Sequence, residues 1–360
     1  MLSTIRETLH RYKKWEPLVF FTAGFIFDAL LLHRIDDPLM LTHQAIYLSL
    51  SAMIIAWDLF GEEDHHVVPK WLTKPWIYRE GILHFILGTL LNVYTIFYFK
   101  SGSFMSSLFF LAFIGTLLYL NEARPLRISK HLLRNALFGL CLISYMNIIV
   151  SIGIGMGGPW VFLLAIGVAF FVHGCYVNLL RSRLPASRIF REIKAPFFGI
   201  ALIYVLLYVF KVLPPVPLSV KYLGIYRNVA RDNGDYRLGF YGSSWQFWKQ
   251  GEDVFEARPG DKIVCFAQIF SPSRFKDQLF VRWQYKDEHQ GWQSWDAIPM
   301  DIAGGREEGY RGFTVKTNYQ PGPWRVSIET ADGREVGRIS FVVVAAEPGT
   351  PPPQMHYEYR

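Results

Sequence analysis

The chain has 360 residues, of which 51% are apolar and 16% aromatic, and only 19% are charged, against about 25% in an ordinary soluble domain. That composition excludes a disordered or fibrous protein. The net charge of +7 lies entirely before Leu218, where 19 basic residues face 12 acidic ones, among apolar runs too long for a soluble fold; the basic balance therefore reads as a membrane-topology signal and excludes nucleic acid as the partner it would otherwise suggest.

A helix needs roughly 20 mostly apolar residues to cross a hydrocarbon core of about 30 Å, because hydrocarbon offers no partner to an open backbone. Seven segments meet that need after a basic N-terminus at 1–16: 17–33, 39–60, 77–99, 103–120, 135–156, 159–180 and 196–213. The first has the basic start of a signal peptide, but HRIDDP follows it where a small-residue cleavage site would stand, so it reads as a retained anchor. Lys and Arg fall on alternate connections, sixteen on one side of the bilayer and two on the other. Basic loops resist translocation. The N-terminus is thus expected in the cytoplasm of a bacterium with two membranes, with everything beyond the seventh span in the periplasm.

A Pro-rich linker at 214–217 leads into a stretch with period-two patterning and turn residues every 8 to 12 positions over 218–345, the signature of antiparallel sheet. Ile263, Cys265, Ala267 and Ile269 share one strand face; Trp324, Val326 and Ile328 share another. Asp332-Gly333 offers the positive dihedrals of a tight hairpin turn, with Ile339, Phe341 and Val343 on the return strand. Seven or eight short strands predict a two-layer, immunoglobulin-like β-sandwich, with a small barrel as the alternative. Cys265 is the one cysteine outside the spans, so no disulfide is expected in this domain. The tail at 346–360 is Pro-rich and reads as disordered or extended. The fold class is thus an α-helical membrane bundle of seven transmembrane helices followed by an all-β, sandwich-like extracytoplasmic domain.

The stretch from FVRWQYKDEHQGW through GYRGFTVKTNYQPGPWRVSIETADGREVGRISFVV resembles the C-terminal β-domain of the DUF2914-like family, uncharacterised bacterial polytopic membrane proteins. The resemblance rests on a strand ending in Trp283, a polar loop, a Lys-Thr strand (Val315, Lys316, Thr317), Gly322-x-Trp324-x-Val326, and an Asp-Gly hairpin leading to Phe341-x-Val343. Where some members carry a His beside the Trp, this chain has Arg282-Trp283, and no role built on that His transfers. The resemblance implies architecture and location, and no activity.

Ionisable groups inside spans are costly and are functional hypotheses by default. Here they are Asp28, His43, Asp58, His84 and His173, with Asn92, Asn135, Asn147 and Asn178 as weaker polar positions. Helix direction places Asp28 near His43 at the exported side, and gathers Asp58, His84 and His173 toward the cytoplasm beside the GEEDHH loop. A proton or ion path could use them, or a metal ion held by imidazole and carboxylate. The spacing contains no helical His-x-x-x-His or His-Glu-x-x-His element, and interhelical hydrogen bonding explains the same residues. No catalytic set, metal set or cofactor is implied. The basic segment RSRLPASRIFREIK could touch anionic lipid head groups, although the topology signal alone accounts for it. In the β-domain, Trp292 and Trp295 in QGWQSWDAIP suit stacking on sugar rings or gripping a peptide, and could equally be core and edge residues; Trp245 and Trp248 in GSSWQFWKQ offer the same choice. The expected partners are the lipid bilayer and a periplasmic glycan, peptide or protein. A binding or scaffolding role leads, with a small transporter or ion-conducting protein as the alternative and a metal-dependent intramembrane enzyme as the next.

Overall fold

The computed structural model describes residues 35–64, 76, 78–102, 108, 112–113, 115–116, 129–242, 250–272, 275–303, 309–347 and 349–360. Five helices among them are long and apolar enough to cross a membrane: α1 (Pro38–Asp64), α2 (Arg79–Lys100), α3 (Lys130–Ile154), α4 (Pro159–Leu180) and α5 (Ala186–Val209). Their apolar spans of 22 to 25 residues reach about 33 to 38 Å at 1.5 Å per residue. Of the seven predicted spans, 17–33 lies outside the described residues and 103–120 almost wholly so, which leaves five and not seven as the described bundle.

Polar contacts set the helix directions. Arg134 of α3 bonds Glu80 at the start of α2, and Asn147 further along α3 bonds Tyr98 at the end of α2, so α2 and α3 run parallel. The fifth helix starts ten residues before the predicted 196, because the basic segment at 186–194 joins it through a π-helical turn, Phe190–Lys194. That turn lets Pro196 sit inside the helix, where a regular α-helical register would clash with the ring.

Beyond α5 the described residues form eleven strands: β1 (Ser219–Tyr226), β2 (Asn228–Asp232), β3 (Asp235–Tyr241), β4 (Val254–Ala257), β5 (Ile263–Phe270), β6 (Lys276–Asp287), β7 (Gly291–Ala303), β8 (Tyr310–Lys316), β9 (Gly322–Thr330), β10 (Glu335–Ala345) and β11 (Met355–Tyr359). They make three sheets, β1-β5-β8, β4-β10-β9-β6-β7 and β11-β3-β2. The first two enclose the main core, with Ile263, Cys265, Ala267 and Ile269 on one wall and Trp283, Trp324, Val326, Ile328, Phe341 and Val343 on the other. The opposite face of β1 and β5 supplies Tyr222, Tyr226, Val264 and Phe266 to a second core against the β11-β3-β2 sheet. The expected two layers are therefore three. The β9–β10 hairpin turns where expected, but only Gly333 takes a positive φ (76°); Asp332 uses its side chain instead.

The Pro-rich tail is extended but anchored. Met355–Tyr359 pairs with β3, and the Glu358 carboxylate accepts hydrogen bonds from both Tyr222 and Tyr226. Burial pushes the Tyr222 hydroxyl up to about 12 and that of Tyr226 higher still. Each tyrosine thus remains a donor to Glu358.

The linker is no free tether either. Pro214–Leu218 is buried, and Val216 and Phe270 belong to the core of the helical bundle. A polar clamp closes the junction: Arg334 pairs with Asp332 at 2.7 Å, donates to the Tyr208 hydroxyl at 2.8 Å and lies over that ring at 4.1 Å. Burial raises both nearby carboxyls, but for Asp332 the hydrogen bonds from Arg334 and Thr330 outweigh it and hold the group below its ordinary range. Asp277 lacks such a donor set, and burial together with the Asp332 charge leaves it raised. The two carboxylates oppose each other in their pH dependence. Asp332 stabilises the fold above the ordinary 3.8 and that contribution is lost as pH falls, whereas Asp277 costs stability as pH rises through 3.8 and its raised folded value. Asp277→Asn should therefore raise the melting temperature of the full chain in detergent by a few degrees at pH 7, and the gain should vanish below about pH 4. Asp332→Asn should lower it at pH 7.

Candidate functional site

Strand β7 lies at the edge of the five-stranded sheet and is antiparallel to β6. Its register steps between Trp283/Gln284, where Asp296 faces Trp283 and Ser294 faces Gln284, so Trp295 is the extra residue of a β-bulge. Trp292 and Trp295, three apart, take opposite faces by strand alternation, and the bulge brings Asp296 onto the Trp295 face. Trp292 pairs across with Lys286 on the outer face and packs under the Arg325 guanidinium at 4.3 Å. Trp295 turns instead toward the inner face, 5.2 Å from Trp324 and 5.9 Å from Tyr285. The pair expected as one surface is thus divided between two faces of the sheet.

Around Trp295 the structure builds a rigid aromatic group on a buried cation. Trp324 is fully buried and its indole N–H donates to the Gln320 carbonyl at 2.8 Å. Lys316, 1% exposed, directs its ammonium at Asp296 and at Asn318 (2.9 Å) and lies 5.3 Å and 5.5 Å from the Trp295 and Trp324 rings, within cation–π range. Gly322 permits this: its φ of +129° suits glycine, and a Cβ there would meet the Tyr285 ring at 2.8 to 3.2 Å. Trp295 itself is 39% exposed. The result is an indole face open to solvent, held by two rings and a charge, beside a carboxylate and an amide. Lys316 stands in the sequence pattern without a role; its place on a β-strand alternating Phe313, Thr314, Val315, Lys316 points the polar residues inward, since Phe313 and Val315 are the exposed pair. Trp245 and Trp248 lie outside the described residues.

In the bundle, the intramembrane candidates disperse. Asp28 lies outside the described residues. His43 is exposed and rests on Tyr47, His84 is exposed, and His173 is buried in a face-to-face stack on Phe197 at 3.8 Å. Only Asp58 joins a cluster, and its partners are arginines: Arg79 at 2.9 Å and Arg134 at 2.7 Å. Arg134 continues to Glu80, while Glu62 holds His131, Lys130 and Arg188, and Arg188 reaches Glu192. The expected gathering of Asp58, His84 and His173 is replaced by an ion-pair network across α1, α2, α3 and α5. Basic residues at the helix ends, read from the sequence as topology signals alone, are the missing half of that site. Among the described residues no three His, Cys, Asp or Glu side chains converge as a metal site would need. Midway along the bundle, Ser144 and Tyr204 share a hydrogen bond at 2.5 Å and Asn147 donates to Tyr98 at 3.3 Å.

The class of protein is thus a helical bundle of membrane-spanning length joined to a layered all-β domain. Residues 276–343, which hold the whole Trp295 group, match the family described as protein of unknown function (DUF2914). No curated protein matches the chain. Among solved structures, an immunoglobulin-like protein from Pseudomonas aeruginosa is 17% identical at a TM-score of 0.20, covering 32% of this chain and 97% of that one. A β-glucosidase from Listeria innocua in complex with glucose is 14% identical at 0.21, covering 26% of this chain and 15% of that one. The Pseudomonas fluorescens alkylpurine DNA glycosylase AlkC is 10% identical at 0.24, covering 87% and 99%. At these TM-scores the likenesses assign neither fold nor activity.

The asymmetry of the Lys316–Asp296 pair can be measured. Asp296→Ala strands a fully buried ammonium and should cost about 3 kcal/mol, whereas Lys316→Met leaves a carboxylate that is 38% exposed and should cost less. Urea melts of the full chain followed by tryptophan fluorescence check the order.

Proposed function

We propose that the protein is a polytopic inner-membrane protein of a bacterium whose periplasmic β-domain binds a glycan of the cell envelope, in a scaffolding or sensing role. The observation that carries the reading is Trp295: an indole face 39% exposed yet immobilised by Trp324, Tyr285 and Lys316. A sugar ring offers a flat array of C–H groups to such a face and hydroxyls to neighbouring acceptors, here Asp296 and Asn318. Rigidity matters because a side chain already ordered loses little entropy on binding. Trp292, committed to Arg325 on the other face, has a supporting part.

Membrane residence is supported by the five long apolar helices, and the periplasmic side by the bias of Lys and Arg to alternate connections. The ends of the described helices sort accordingly. The basic residues of α3 and α5 lie with Glu62 and Asp58 at one end, and the β-domain meets Gly155 and Tyr208 at the other. The bundle's charge network saturates its own members, which is the arrangement of a clamp and gives no support to an ion path.

Co-sedimentation of the detergent-solubilised full chain with purified peptidoglycan sacculi tests the binding. Trp295→Ala should weaken capture roughly tenfold or more, as truncating a central aromatic anchor does, and Trp292→Ala should change it little; undiminished capture by Trp295→Ala would defeat the reading. Sidedness has its own test. Alkaline phosphatase fused after Arg360 should be active in whole cells, and β-galactosidase at the same point should not.

A further inference from the structure

Stacking alone needs only an exposed indole, yet Trp295 stands beside an acceptor and a donor set in place by a buried charge. The Lys316 ammonium touches Oδ2 of Asp296 and Oδ1 of Asn318. An ammonium carries donors only, so the atom of Asn318 that faces it is the oxygen, and Nδ2 is turned away from it on an exposed residue. Asp296, 38% exposed, keeps Oδ1 outside the ion pair. Among the described residues nothing bonds Oδ1 of Asp296 or Nδ2 of Asn318. Both side chains hang on one nitrogen, 5.3 Å from the Trp295 ring, which brings free acceptor, free donor and indole within the span of one sugar ring. Resting on the glycan reading above, we infer that this rim selects a sugar residue with an unsubstituted 3-hydroxyl, so that on a peptidoglycan strand it takes N-acetylglucosamine and refuses N-acetylmuramic acid.

The chemistry of the strand supplies the choice. Its glycosidic bonds consume O1 and O4 of each ring and C2 carries an acetamide, so O3 is the ring hydroxyl left over: free on N-acetylglucosamine, closed by a lactyl ether on N-acetylmuramic acid. A ring stacked on the indole projects its equatorial substituents in the ring plane, past the indole edge, where Asp296 and Asn318 stand. The 3-hydroxyl has one proton to give to Asp296 Oδ1 and lone pairs to accept from Asn318 Nδ2. An ether oxygen can take the second bond and cannot make the first. It leaves a carboxylate oxygen stripped of water and facing another acceptor, which costs more than the bond itself was worth. A site that bonds a hydroxyl therefore rejects the analogue without it more sharply than an apolar pocket rejects a misfit.

Lys316 acts here as a positioning residue. By holding one oxygen of each neighbour it fixes which atom of the amide and which of the carboxylate remain for the ligand. An apolar side chain at the same place would leave the amide free to turn over.

The test titrates chitotetraose, every ring of which carries the free 3-hydroxyl, into the full chain by calorimetry in a detergent without a sugar head group. Methyl glycosides of N-acetylglucosamine, of its 3-O-methyl ether and of N-acetylmuramic acid compete for the site. The free hydroxyl should compete about tenfold better than either ether. Asn318→Asp keeps an oxygen on Lys316, and with it the fold, but offers the hydroxyl two acceptors for one proton; chitotetraose should bind about tenfold more weakly. Asp296→Asn offers two donors and no acceptor, and should lose as much. The double variant exchanges acceptor and donor across Lys316, and should recover binding to within about threefold of the native chain. Equal competition by the ethers would overturn the inference. So would single variants that bind like the native chain, a double variant no better than either single one, or no binding of chitotetraose by a chain that captures sacculi. Capture of sacculi that still depends on Trp295 would, beside any of these, leave the glycan reading standing; its loss as well would end both.

Discussion

A charge removed from water must find an opposite charge or pull its surroundings apart, and the Asp58–Arg134 pair is where this protein meets that constraint most severely. Both side chains are less than a tenth exposed, inside a bundle of long apolar helices. Neither could be buried alone, since an uncompensated ion in such a place costs several kcal/mol. Arg79 and Glu80 then saturate what the pair leaves open. Because the partners come from three helices, neutralising the charges also fixes the relative height of α1, α2 and α3, and Glu62 with Arg188 extends the same registration to α5. Dispersion between apolar side chains is indifferent to sliding by a fraction of a turn; an ion pair at 2.7 Å is not.

The same rule recurs on the way outward. At the junction, Arg334 is 6% exposed and its guanidinium is bound by Asp332 and Tyr208, so the β-domain is held by a directional contact as well as by Val216 and Phe270 in the bundle core. Domains joined through a small polar surface usually move against each other. Here the linker itself is buried and apolar side chains cross the boundary, which makes the β-domain a fixed extension of the bundle. Within the domain, Arg227 forms a two-point pair with Glu252 and reaches Asp261, tying β1 to the chain that leads into β4 and β5.

How much of this was legible in sequence depends on whether the signal was local. Period-two alternation identified the faces of β5, β9 and β10 residue by residue, because one face of each strand meets a core. Hydropathy located the helices, because length and apolarity are properties of a single segment. What sequence could not supply was partnership. Asp58 stood out as a costly residue, but Arg79 and Arg134 were counted as topology markers, since nothing in the chain order says that they face it. Trp292 and Trp295 are three apart, which on a strand already puts them on opposite faces; what chain order does not show is the bulge, a one-residue slip in the β6–β7 register that brings Asp296 onto the Trp295 face. The tail misled by composition: its prolines hide the alternation of Met355, Tyr357 and Tyr359 against His356 and Glu358 that the β3 edge accepts. The third sheet, β11-β3-β2, is the layer that the expected two-layer sandwich lacked.

Strand β8 and the Trp295 bulge break local rules at the same place. Phe313 and Val315 point outward at 43% and 42% exposure while Thr314 and Lys316 point into the core, the reverse of what binary patterning favours. Thr314 repays its burial by accepting the Trp283 indole N–H at 3.2 Å. Lys316 has no such structural necessity: an apolar side chain of its length would fill the same space without needing Asp296 or Asn318. Departures from local consistency concentrate where a protein carries out its function. The buried ammonium does one thing that an apolar residue could not. It holds the Asp296 carboxylate at the rim of an exposed indole, joining a stacking surface to a hydrogen-bond acceptor in a fixed geometry.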